Sequence, residues 1–84
     1  MNLNSPFAQT LAREVRLWIK SAIRQGTVKM SVDNLLQCTV SLPRLRAARD
    51  LEGAPHGTNC QWAYAQLFRE LCSTDPTIRN FTNL

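Results

Sequence analysis

The run from Ser5 to Gly26 leaves little choice of local structure. At roughly 100° per residue, Phe7, Ala8, Leu11, Ala12, Val15, Trp18, Ile19, Ala22 and Ile23 fall on one continuous arc of a helix. Arg13, Arg16, Lys20 and Arg24 gather on the far side, within less than a quarter turn of one another. One face must therefore be buried and the other offers positive charge. The ends fit too: Ser5 suits the N-cap, Pro6 the first helical position, and Gly26 the left-handed residue beyond the C-cap. Leu17 alone interrupts the polar face, as a lone exposed residue or the edge of a second contact surface.

A chain of 84 residues has room for one domain and one modest core, so residues 1–84 are expected to form a single helical domain. Such a domain buries about 60–65% of the surface its unfolded chain exposes, which keeps stability marginal. That economy is compatible with a homodimer. Apolar residues make up 44% of the chain, too many for a disordered one. No apolar run approaches the ~18 residues of a membrane-spanning helix. Met1-Asn2-Leu3-Asn4 lacks the basic and apolar regions of a secretory signal, and no membrane association is expected.

Three further helices follow from the pattern. Residues 27–42 admit two readings. In the preferred one Ser31 caps a short helix with Val32, Leu35 and Leu36 on one side. In the alternative, Val28/Met30/Val32 and Cys38/Val40/Leu42 alternate as a hairpin over 28–42, giving an α+β fold. Leu35-Leu36-Gln37 breaks that alternation, and Asp33-Asn34 lacks the glycine that tight hairpins favour. A helix from Leu42 or Pro43 to Leu51, capped by Ser41, places Leu45, Ala48 and Leu51 toward a core. After the loop 52–57, Thr58 and Gln61 have capping-box spacing for a helix reaching about Ser73, and Asp75-Pro76 starts a final helical turn. The expected fold is all-α, with three main helices plus a short middle one. Trp18, Leu11, Leu45, Leu67 and Phe68 are its expected core.

Charge is uneven. Residues 1–49 hold eight basic and two acidic side chains; residues 50–84 hold two and four. Arginine outnumbers lysine eight to two, and the planar guanidinium suits phosphate or carboxylate recognition. The sharpest reading of the basic half is helix-turn-helix-like, with residues 31–38 leading through 39–41 into a recognition helix at 42–51. Ser41 and Arg44 would then meet bases and phosphates, and Arg46 and Arg49 would track the backbone. Arg13, Arg16, Lys20 and Arg24 add a phosphate-facing stripe. A solvated arginine-rich surface would carry the same pattern, and the usual small residue and turn glycine of the motif are absent.

The other class is a helical protein-interaction module, an adaptor or inhibitor. Trp62 falls on the polar side of its helix beside Gln66 and Arg69, and an exposed tryptophan often marks an interface. Cover by Ile78 or Phe81 of the C-terminal segment is the preferred alternative. With Leu17, Trp62 and Arg69 form the candidate protein-interaction set.

Catalysis is not expected. Glu14, Asp33, Asp50, Glu52, Glu70 and Asp75 show no paired acid–base spacing, and no glycine-rich phosphate loop precedes a Lys-Ser/Thr pair. His56 precedes Cys60 by four residues, an outline of a base and nucleophile, but Cys60 belongs to an apolar arc and reads as a packed thiol. Cys38, Cys60 and Cys72 are odd in number and lack Cys-x-x-Cys spacing, which suits reduced thiols in a cytoplasmic protein without metal or cofactor.

Overall fold

A computed structural model describes residues 3–83, and it is all-α. Helix α1 spans Pro6–Arg24, α2 Val32–Thr39, α3 Pro43–Ala47, α4 Cys60–Thr74 and α5 Pro76–Phe81. A 3-10 turn, Ala48–Asp50, follows α3. No strand forms among the described residues. The hairpin alternative for 28–42 is therefore overturned: Ser31 accepts from the Asn34 N–H at 3.2 Å and starts α2. The only sheet-like contact described is an isolated parallel bridge from Met30 to Thr82.

α1 is the organising element because its apolar arc is the longest. Phe7, Ala8, Leu11, Ala12, Val15, Ile19 and Ala22 are buried, and α3, the 3-10 turn and α5 all pack against this helix. Each large side chain so removed from water contributes about 1.5–3 kcal/mol before chain entropy is counted. Trp18 is half-buried and packs on the edge of the core, while Leu35, Leu45, Leu67, Phe68, Ile78 and Phe81 complete it from the other helices. Ile23 departs from the periodicity and is 54% exposed. It stands only about 20° round the helix from Arg16, at the limit of the arc and in the final turn.

Both ends of α1 are closed. Ser5, itself buried, accepts from the Ala8 N–H at 3.2 Å. At the other end the Gly26 N–H donates to Ile23 O and the Thr27 N–H to Ala22 O, both at 3.0 Å, with Gly26 at φ +102°. That is the Schellman arrangement. Gly53 is needed for two reasons: its φ is +92°, and a Cβ there would sit 2.2 Å from Ser5 Oγ. The loop can thus lie on the α1 N-terminus, where Glu52 O accepts from the Phe7 N–H at 3.0 Å.

Two expected starts shift. The helix expected over 42–51 divides into α3 and the 3-10 turn, and Leu42, not Ser41, takes the N-cap so that Pro43 occupies the first position. α4 begins at Cys60, and the Thr58–Gln61 box does not form. Its N-cap is Asn59, at φ −104° and ψ 23°, away from the extended conformation that aims a cap side chain at the first-turn N–H groups.

Asp75 ties three helices together. It ends α4, caps α5 by accepting at Oδ1 from the Thr77 and Ile78 N–H groups, and accepts at Oδ2 from the Arg16 guanidinium of α1. Asp75→Ala is expected to lower stability by about 2 kcal/mol, the sum of a lost cap and a lost half-buried ion pair. Asp75→Asn keeps the capping oxygen and should cost about half as much. Urea unfolding followed by tryptophan fluorescence checks the order; equal losses would mean that the cap contributes nothing.

Candidate functional site

Between the C-terminal half of α2, α3 with its 3-10 turn, the 54–57 loop and the first turns of α4 lies a cleft of about 540 Å³. Its apolar wall comes from Phe7, Leu36, Val40, Leu45 and Ala54. Its polar lining is Gln37, Arg49, His56, Gln61 and the hydroxyl-bearing ring of Tyr64, with Cys60 between the two. No carboxylate is among the lining residues.

Tyr64 is the unusual member. Its ring is held edge-on to Phe7, centroids 6.2 Å apart, and stacked with Phe68 at 6.4 Å. Its hydroxyl is buried without a hydrogen-bond partner among the described residues. Burial pushes its pKa up to about 12, against a smaller opposing pull from the Arg49 guanidinium. Arg49 is thus close enough for its charge to be felt at the phenol, and it is exposed and free of any ion pair described here. The first turn of α4 borders the same cleft without a side-chain cap, and no described group accepts from the Gln61 or Trp62 N–H. Cys60 and His56 both line the cleft, with no hydrogen bond between them among the described residues.

The basic residues separate into distinct settings. Arg13, Lys20 and Arg24 are exposed on the outer face of α1 without carboxylate partners among the described residues, whereas Arg16 is held by Asp75. Arg44 keeps a side chain 80% exposed although its Nε lies 3.9 Å from Glu14 Oε1. Glu14 itself is buried on α1, its Oε2 unpartnered. Arg46 and Ser41 are exposed; Arg49 turns to the cleft. Val40–Leu42 joins α2 to α3, whose five residues span only about 7.5 Å.

The three interaction candidates lie on two helices, Leu17 on α1 and Trp62 and Arg69 on α4. Leu17, 53% exposed, is on the outer face of α1, and Trp62, 65% exposed, on the outer face of α4. The preferred cover for Trp62 is overturned, because Ile78 and Phe81 are spent in the core and Phe81 O accepts from the Met30 N–H. Arg69 is engaged with Asp33 of α2 at 3.0 Å on the surface.

Periodicity puts Tyr64 on an apolar arc but leaves its hydroxyl without a role. The available signal was the hydroxyl, which a buried tyrosine normally pairs. Among the described residues no three His, Cys, Asp or Glu side chains converge as metal ligands, and no helix is long and apolar enough to cross a membrane. Comparison with protein-family profiles, curated proteins and solved structures gave no match. The fold and site define a small all-α domain with an amphiphilic cleft and a separate basic surface.

Tyr64 is the single tyrosine, so its titration is directly visible. Phenolate absorbance at 295 nm should rise with a midpoint near 12 in the folded protein and return to about 10 in denaturant. A raised folded-state pKa means the folded state holds the proton longer. Its stabilising contribution is therefore complete below pH 10 and is lost as pH climbs through about 12. Buried Cys72, pushed up to about 11 by burial and then by Asp75, loses its share over a range beginning lower, from about 9. Tyr64→Phe should remove the higher part of this alkaline decline, measured by urea midpoints at pH 8 to 12. An unchanged decline would show that the phenol is hydrated in solution.

Proposed function

We propose that the protein is a small basic nucleic-acid-binding regulator that grips phosphates and performs no catalysis. What supports this reading is the allocation of charge. Three of the six carboxylates, Glu14, Asp33 and Asp75, are taken up by interhelical contacts, while Arg13, Lys20, Arg24 and Arg46 stay exposed with no carboxylate partner among the described residues. Cations left free in this way release condensed counterions when they meet phosphates. Arg44 and Ser41, at the start of α3, would supply the helix-turn-helix-like contribution. So short a helix suits backbone contact better than reading several bases. The three free thiols fit a reducing, cytoplasmic setting.

A second reading, a protein-interaction module, rests on Trp62. Exposing an indole ring to 65% in so small a domain is costly unless a partner covers it.

Fluorescence anisotropy of a random DNA duplex at 50 and 200 mM salt tests both. Five phosphate contacts, from Arg13, Lys20, Arg24, Arg44 and Arg46, predict an affinity loss of roughly 500-fold between these salts. Arg13/Lys20/Arg24→Gln should reduce the logarithmic salt slope by about 3, and Arg44/Arg46→Gln by about 2. Trp62→Ala should leave binding unchanged. No binding at 50 mM salt would end the nucleic-acid reading and leave Trp62 as the surface to pursue by its protection in the presence of protein partners.

A further inference from the structure

We propose that the cleft between α2, α3 and α4 is a binding site for a small amphipathic carboxylate, an apolar body ending in one anionic group. The volume comes first. About 540 Å³ lies within the roughly 300–1,000 Å³ of small-molecule sites. The lining has the mixture such sites show, mostly apolar side chains with a few polar groups among them.

Each polar group asks for the same thing. The Tyr64 ring lines the cleft while its hydroxyl is closed off from water and unpartnered, a state that costs about 1–3 kcal/mol and that a small shift of the wall toward an acceptor would relieve. A neutral phenol can give that acceptor a proton to share. Arg49 brings a positive charge within electrostatic reach of the phenol and has no carboxylate to neutralise it among the described residues. The first turn of α4 adds free N–H groups and the positive end of a helix dipole along the same edge. Donors and positive charge thus belong to one lining, and no carboxylate among the lining residues competes for them. An anion satisfies all three; an amine would meet repulsion from Arg49.

The apolar wall excludes a free inorganic anion as the best occupant. Phe7, Leu36, Val40, Leu45 and Ala54 have nothing to offer a fully hydrated ion. An aromatic or aliphatic body covers them while its carboxylate reaches Tyr64 and Arg49. This site is separate from the phosphate-binding reading, which draws on Arg13, Lys20, Arg24, Arg44 and Arg46.

4-Phenylbutyrate and its uncharged counterpart 4-phenylbutyramide provide the test, titrated into the full chain by two-dimensional amide NMR. The acid should bind at about 0.1–1 mM, as expected for a dozen heavy atoms, and shift the amides of Phe7, Ala54, Cys60 and Tyr64. The amide should bind about tenfold or more weakly. Arg49→Gln, a change at an exposed position, should erase that preference while leaving amide binding in place. Tyr64→Phe should weaken acid binding about three- to tenfold and keep the protein folded, since it removes only an unpaired hydroxyl. Equal affinity for acid and amide, a preference that survives Arg49→Gln, shifts confined to residues outside the cleft, or no binding of either compound at 10 mM would each overturn the proposal.

Discussion

The face of α1 is the constraint that everything else answers. No other element is as long, and its buried arc runs from Phe7 near one end to Ala22 near the other. The partners are short: eight residues in α2, five in α3, six in α5. None of these would hold as an isolated helix, since a lone helix below about 12–15 residues is marginal in water. They persist because each lays an apolar side chain, Leu35, Leu45 or Ile78, into the common core. Orientation then depends on ties between helices. Asp75 is the strongest, because one carboxylate closes α4, opens α5 and holds α1 through Arg16.

The same ties determine the electrostatics of the surface. An acid placed between helices is no longer available to offset a cation elsewhere. Asp33 faces Arg69 and Asp75 faces Arg16, so each removes a basic partner as well, while Glu14 sits 3.9 Å from an Arg44 whose side chain stays 80% exposed. Most of the remaining surplus sits on the outside of α1 and beside α3, with Lys29 and Arg79 apart from it. Its distribution follows from folding needs as much as from any ligand. The outer face of α1 must be polar, and long basic side chains keep their charge in water while their stems lie along the helix.

Legibility in the sequence tracked the range of the interaction. α1 was readable almost to the residue, since its cap, its arc and its terminal glycine are all local features. The 3.6-residue spacing likewise placed Leu11, Leu45, Leu67 and Phe68 in the core. Local chemistry failed where tertiary geometry decided the outcome. Thr58 and Gln61 have the right spacing for a capping box, yet the entering loop leaves Asn59 out of the extended conformation and the helix starts later. Arg16 and Arg13 look equivalent on a helical wheel, but Asp75, far along the chain, claims only one of them. Trp62 falls on the polar face its spacing indicates, while the cover expected from Ile78 or Phe81 fails, because the packing of α5 sends both side chains into the core.

The cleft was the least legible feature, and the reason is physical. Its residues come from five separate parts of the chain, with no spacing to link Phe7, Leu36, Arg49, His56 and Tyr64. It exists because the chain between the 3-10 turn and α4 runs as irregular loop, anchored at one end where Gly53 lies on Ser5. A helix in that place would have brought apolar side chains to close the gap over Tyr64. A loop brings Pro55, His56 and Gly57 to the lining instead, and none of them accepts a hydrogen bond from the buried phenol. Ala54 is the one loop residue that commits fully to the core. The orphaned hydroxyl and the uncapped first turn of α4 therefore share one origin. Both are donors left over where a short domain ran out of regular structure, and both belong to the stretch of α4 that borders the hollow Arg49 makes positive.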